Sequence, residues 1–250
     1  MKLKHISEII QTLYPDDIKC IVCGKEIHPN RYGLCDGCGF DLNDNYCLRC
    51  GRHKVGIGDY CSECSESVLY FDEARSSVSY DSRAKSVIGR LKYGSAKYLA
   101  RALCEYLLDT LLTSDWDFDC FTFVPMHETR QRKRGYNQAE LLARELAERT
   151  TTPCVPLLKK KVKTPNQARL DREARMANLD GAFTAIGDVP DHVVLVDDVM
   201  TTGSTVNECS KVLKKAGAKF VYVLTFASVP ERPFTDRSGK NIAQFRRQKT

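Results

Sequence analysis

Val193-Val194-Leu195-Val196-Asp197-Asp198-Val199-Met200-Thr201-Thr202-Gly203-Ser204-Thr205 is the stretch from which the fold is read. Four apolar, mostly β-branched residues mark a buried strand, two carboxylates stand at its carboxyl end, and a hydroxyl-rich turn runs into a helix. The turn offers backbone N–H groups, Thr and Ser hydroxyls, and a Gly that lets the backbone approach a ligand, all at a helix N-terminus that favours a phosphate. The carboxylates one turn earlier suit ribose hydroxyls or Mg²⁺. Together these read as a sugar-phosphate cradle. A P-loop is excluded because no Lys follows a second Gly, and a dinucleotide fingerprint because three spaced glycines are missing. A receiver domain also carries acidic residues after strands but has no use for the Thr-Thr-Gly-Ser-Thr run. Ordinary helix caps use Asp, Ser and Thr too, but an acidic pair followed by the complete run favours the cradle.

Outward from this stretch the chain alternates strands and helices. Ala74–Tyr80 reads as a strand, Ser82–Lys92 as a helix stopped by Gly94, and 96–112 as a largely buried helix. Phe121–Val124 is the next strand, followed by Pro125 and a basic, non-periodic segment, Met126 to Tyr136. Asn137, with Glu140 three residues on, then starts a helix carrying Leu141, Leu142 and Leu146. A strand, a basic loop and a helix start make a second anion site, in which Arg provides forked donors; His127 reads first as an exposed loop residue and otherwise as a phosphate donor or acid. Cys154–Leu158 suggests a short strand, and 159–178 a polar loop with seven Lys or Arg, the composition of a lid over phosphates. After the cradle, a helix stops at Gly217 and a last strand spans Phe220–Phe226. The fold class expected is α/β, a mostly parallel sheet flanked by helices with ligands at the strands' carboxyl ends.

The N-terminal part differs. After an amphipathic start with Leu3, Ile6, Ile9, Ile10 and Leu13 at helical spacing come four Cys-x-x-Cys pairs: Cys20/Cys23, Cys35/Cys38, Cys47/Cys50 and Cys61/Cys64. Gly24, Gly39 and Gly51 follow three of them and permit the turn that aims N–H groups at sulfur. Disulfides are disfavoured by the regular spacing and an expected cytoplasmic location, and a c-type haem by the lack of a following His. An iron–sulfur cluster takes the same ligands; repeated knuckles favour Zn²⁺, in two structural four-cysteine sites. Sequential pairing closes the shorter loops, and a cross-braced pairing fits the same spacing. Cys104, Cys120, Cys154 and Cys209 stand outside any pair and read as packing residues, and His28 and His53 as surface residues.

The 250 residues accommodate one medium domain and a smaller one, and no apolar run nears the length of a membrane span. Neither a signal peptide nor membrane insertion is expected. The formal charge of +6 falls to about +2 if eight thiolates hold two zinc ions. Locally, residues 121–175 carry thirteen Lys or Arg against six Asp or Glu, an excess suited to pyrophosphate or a nucleic-acid backbone. The division expected is 1–67 for a helix and double zinc ribbon, 68–230 for the α/β domain and 231–250 for a basic polar tail.

The thirteen-residue stretch resembles the phosphoribosyl-pyrophosphate (PRPP) motif of type I phosphoribosyltransferases. The four Cys pairs, Leu91-Lys92-Tyr93-Gly94, Val124-Pro125, Arg134-Gly135-Tyr136-Asn137-Gln138-Ala139-Glu140-Leu141-Leu142-Ala143, Gln167, and Arg175, Asn178 and Gly181-Ala182-Phe183 add a resemblance to the ComF family, its ComFC branch in particular. That resemblance implies a type I phosphoribosyltransferase-like fold behind a zinc ribbon, in a cytoplasmic protein of natural transformation that handles single-stranded DNA beside the DNA-uptake helicase. It implies that Asp197 and Asp198 bind ribose hydroxyls and that Thr201, Thr202, Gly203, Ser204 and Thr205 cradle the 5′-phosphate. The pyrophosphate loop would comprise Val124, Pro125, Met126, His127, Arg130 and Arg134, with Mg²⁺ accompanying PRPP or a related ribose 5-phosphate ligand. Two functions follow: an Mg²⁺-dependent glycosyltransferase-class enzyme that transfers phosphoribose or hydrolyses PRPP, or a single-stranded DNA-binding adaptor whose PRPP site is a sensor or relic. A purely structural zinc scaffold is the least favoured.

Overall fold

Strand β5, His192–Met200, is central because it is apolar on both faces: Val193, Val194, Leu195 and Val196 are all fully buried. The structure, a computed structural model, describes residues 18–54, 58–66, 68–94, 96–161 and 181–231. In chain order its elements are α1 Ser62–Glu66, β1 Glu73–Ser79, α2 Ser82–Tyr93, α3 Leu99–Leu112, β2 Cys120–Phe123, α4 Glu128–Arg134 and α5 Gln138–Thr150. There follow β3 Leu158–Lys160, β4 Phe183–Ala185, β5, α6 Ser204–Lys215 and β6 Phe220–Ser228.

The main sheet runs β1-β6-β5-β2 with every pairing parallel, in registers such as Val196 opposite Leu224 and Phe123 opposite Val196. Period-2 alternation sends β5 side chains to two separate cores. Val194 and Val196 join Phe121, Phe226, Leu103 and Leu142 on the α2, α3 and α5 side. Val193 and Leu195 join Val221, Val223 and Leu213 on the α6 side.

The cysteine module straddles the β1 edge of this sheet. Ile21 and Phe40 of the first half enter the α3-side core, where the Phe40 ring meets Tyr106 at 5.3 Å and Phe226 at 5.4 Å. The second half lies on the α6 side, with Cys47, Cys50, Cys61 and Cys64 in one cluster with Phe71, Ala74 and Met200. Between the halves, Leu42 bridges antiparallel to Val78, with Asn43 N–H donating to Ser77 O and Ser79 N–H to Asp41 O. The linker therefore covers the edge strand with main-chain hydrogen bonds.

Several expectations are corrected. The basic segment after Pro125 is not a bare loop: Glu128–Arg134 is a seven-residue helix with no buried residue, closed by Gly135 at φ 86°. The helix expected from residue 96 starts at Leu99, after a turn. Cys154 makes a single bridge to Phe121, and the strand of this region falls later, β3, paired antiparallel with β4. Residues 162–178 of the expected lid, the amphipathic start and the tail beyond Glu231 lie outside the described residues.

Candidate functional site

The carboxyl end of β5 opens on a cavity of about 320 Å³. Asp198, 7% exposed, is gripped by Lys92 from the last turn of α2, whose Nζ lies 2.7 Å from Oδ2 and 2.9 Å from Oδ1. The backbone N–H of Asp198 donates to Asp197 Oδ1 at 2.8 Å. Burial, then the Asp198 charge, pushes the Asp197 carboxyl up to about 7, against the pull of Lys92 and Lys160. Burial disfavours the Lys92 ammonium, but the charges of Asp198 and Asp197 outweigh it and raise its pKa. Two carboxylates thus share one close ammonium, and the less directly paired one holds its proton to neutral pH.

The turn after β5 carries the hydroxyls. Gly203 takes the left-handed conformation, φ 76°, at the cap of α6, where it offers no side-chain oxygen to the helix's first turn. Thr202 Oγ1 and Ser204 Oγ lie 2.9 Å apart, and Ser204 N–H reaches Thr202 Oγ1 at 3.4 Å. Thr201 and Thr205 line the same cavity as the acidic pair.

The opposite wall comes from the segment after β2. Val124, Pro125, Met126, His127, Arg130 and Arg134 all line the cavity with the acidic pair, Thr201 and Thr205, whereas Thr202 and Gly203 border a separate, smaller space beside Cys50 and Cys64, and Ser204 borders neither. His127 caps α4: its Nδ1 accepts the Thr129 N–H at 3.2 Å, which leaves Nε2 as its remaining polar atom. Arg134 donates to Gln138 Oε1 at 2.6 Å and lies 5.0 Å over the Tyr93 ring. Asn137 holds the segment's ends together, its Nδ2 donating to Val124 O at 2.9 Å while its Oδ1 accepts Ala139 N–H.

The roles of Lys92, which the sequence presents as a cation in the last turn of a helix, and of Lys160 and Tyr80, which also line the cavity, were not read from the sequence. Burial, then the Arg130 charge, pulls the Lys160 ammonium down. Lys92-Tyr93-Gly94 was visible as a motif, but nothing local indicated a partner 106 positions away.

The cysteines form two clusters, Cys20/Cys23/Cys35/Cys38 and Cys47/Cys50/Cys61/Cys64, with ligand atoms within 4.8 Å of one another. The pairing is sequential. Tetrahedral thiolates about 2.3 Å from zinc stand about 3.8 Å apart. The Sγ separations of 3.8 Å for Cys23–Cys35 and 3.7 Å for Cys50–Cys61 fit that edge. Four thiols per cluster, with Cys61 N–H directed at Cys47 Sγ, suit a zinc ribbon's structural site. Cys104, Cys120 and Cys209 are buried apart from both clusters, as packing residues should be.

Fold and site define a phosphoribosyltransferase-type α/β domain joined to a double zinc ribbon. The description "Phosphoribosyl transferase domain" matches residues 132–244, and "Double zinc ribbon domain" matches residues 9–65. The chain belongs to the ComF family of competence proteins. It is 32% identical over 218 residues to Competence protein F of Haemophilus influenzae, covering 83% of this chain and 95% of the relative. It is 28% identical over 213 residues to DNA utilization protein YhgH of Salmonella typhimurium, covering 82% of this chain and 94% of that protein. Competence protein ComFC of Streptococcus pneumoniae is 25% identical over 225 residues, covering 82% of this chain and 97% of its own.

Proposed function

We propose that this chain binds PRPP or a related ribose 5-phosphate and serves DNA uptake in natural transformation, acting on or with single-stranded DNA. The observation that carries the ligand is the convergence of an acidic pair, the two ends of the hydroxyl loop, Thr201 and Thr205, and a basic segment on one cavity. Asp197 and Asp198 would take the ribose hydroxyls, Thr201 to Thr205 the 5′-phosphate through N–H and hydroxyl donors, and the Val124–Arg134 wall the pyrophosphate. Mg²⁺ accompanying the ligand would neutralise charge on the pyrophosphate as it leaves. Arg130 and Arg134 would orient that group, and Lys92 would hold Asp198 ready for the ribose. In this reading residues 68–230 are the phosphoribosyltransferase-like domain, 1–67 the zinc module and 231–250 a basic tail. A role beside the DNA-uptake helicase would place the chain in the cytoplasm; as a separate matter, no described helix is long and apolar enough to cross a membrane.

The competence role draws on the names of the relatives, and the DNA-uptake helicase is the partner that role implies. A second reading, a single-stranded DNA-binding adaptor without turnover, is favoured by one feature. Arg132 is 84% exposed on α4, adjoining but not lining the cavity, where a strand's phosphates would reach it.

Calorimetry of PRPP with Mg²⁺ tests both readings, with and without single-stranded DNA. Asp197→Asn with Asp198→Asn should weaken PRPP by about tenfold or more, as loss of charge-assisted bonds to the ribose requires. Unchanged affinity removes the ribose assignment. Competition between DNA and PRPP supports one shared site, and independent binding places DNA elsewhere.

A further inference from the structure

Arg52 lies two residues beyond Cys50 and is 6% exposed, a charge seldom buried unless it is paired. Its guanidinium is divided between the nearby Cys61–Glu63 segment and a distant loop. Nη2 donates to Glu63 Oε2 at 2.7 Å and lies 3.9 Å from Cys61 Sγ, a ligand atom of the second cysteine cluster. Nη1 donates to the backbone carbonyl of Thr201 at 3.3 Å, 149 positions away, at the first residue of the hydroxyl loop. The ribbon and the loop face each other across a space of about 20 Å³, with Cys50, Cys64 and Phe71 on one side and Met200, Thr202 and Gly203 on the other. A second clasp runs alongside: Ser62 donates through N–H and Oγ to Glu231 Oε1 at 2.9 and 2.6 Å, and Glu231 N–H donates to His53 O at 2.8 Å.

We propose that Arg52 is a positioning residue for the hydroxyl loop, through which the second four-cysteine site governs how the chain binds a sugar phosphate. The proposal rests on the reading that residues 201–205 take the 5′-phosphate. Its physical basis is the planar trans peptide, in which C=O and the next N–H point to opposite sides. Anchoring the Thr201 carbonyl on Arg52 turns the Thr202 N–H away from the ribbon. One donor of the loop is thereby fixed before any ligand arrives, which lowers the ordering cost of binding. Four thiolates on one divalent ion leave a net charge of −2 in a buried place, and the guanidinium is the cation beside it. The direction of the Arg52 fork therefore depends on the thiolate cluster being assembled. Lysine has one terminal nitrogen and cannot span a thiolate, a carboxylate and a carbonyl together.

The test uses the full zinc-loaded chain as wild type, Arg52→Met and Arg52→Lys, with zinc content measured in each. Backbone hydrogen exchange is followed without ligand, and ribose 5-phosphate affinity by calorimetry. Exchange at residues 202–205 should quicken by about tenfold in both variants, while β5 and β6 keep wild-type protection. Ribose 5-phosphate should bind about tenfold more weakly, the loss of roughly one oriented donor. A role confined to stabilising the ribbon would quicken exchange around Cys47–Cys64 and leave 202–205 alone, and that result overturns the proposal. If Arg52→Met sheds zinc, Arg52→Lys decides, since it keeps a cation beside the thiolates. A wild-type chain that does not bind ribose 5-phosphate removes the phosphate reading of the loop, while the exchange comparison still decides whether Arg52 sets its conformation.

Discussion

Lys92 and Asp198 hold each other at 2.7 Å, and that pair sets the electrostatics of the site. Desolvation, then the charge of the adjacent Asp198 that Lys92 grips directly, raises the Asp197 carboxyl to about 7. A carboxyl raised in the folded state binds a proton that the unfolded chain has already released, so its contribution to stability is lost as pH rises from its ordinary value towards the raised one. Asp197→Asn should therefore stabilise the ligand-free chain little near pH ~4, increasingly up to about 7, and by a constant amount above. Thermal unfolding of both proteins across this range checks it, and a difference independent of pH contradicts it. The acidic pair was legible because its members are adjacent and end an apolar run. Lys92 was not, because its contact exists once the last turn of α2 meets the end of β5, and a cation in a helix's last turn looks the same whether or not a carboxylate awaits it.

At the scale of elements, β5 was readable because burial on both faces leaves an unbroken apolar run. Helix α4 was not, because none of its seven residues is buried and hydrophobic periodicity had nothing to register. The zinc knuckles were readable as pairs, while their sequential assignment needed the fold. Gly51 illustrates what spacing conceals. Its left-handed φ of 66° has a counterpart at Gly24 and not at Gly39, but a Cβ at Gly51 would lie 2.3 Å from Ala74 O on β1. Gly24, at φ 75°, would meet nothing within 4 Å. Gly24→Ala should cost about 1–2 kcal/mol from the left-handed backbone, and Gly51→Ala clearly more because the ribbon must also lift from the strand. Urea unfolding at saturating zinc measures both. Equal costs would mean that the contact with β1 does not hold the second ribbon.

Across the whole molecule, the sheet edge organises the rest. The two ribbons grip β1 from opposite faces, their linker pairs with it, and the second ribbon reaches the loop at the far end of β5 through Arg52. The two-part architecture was legible from cysteine spacing and alternating elements, but the contact between the parts was not, since no local pattern encodes a bond between residues 149 apart. The central claim is that the space between β5, α2 and α4 receives a sugar phosphate. A nitrogen–proton correlation spectrum of the zinc-loaded full chain, titrated with ribose 5-phosphate, tests it most directly. The amides of Thr202, Gly203, Ser204 and Thr205 should shift together with those of Asp197 and Asp198, saturating with one affinity. Shifts confined to other surfaces, or none at all, would contradict the assignment of this cavity.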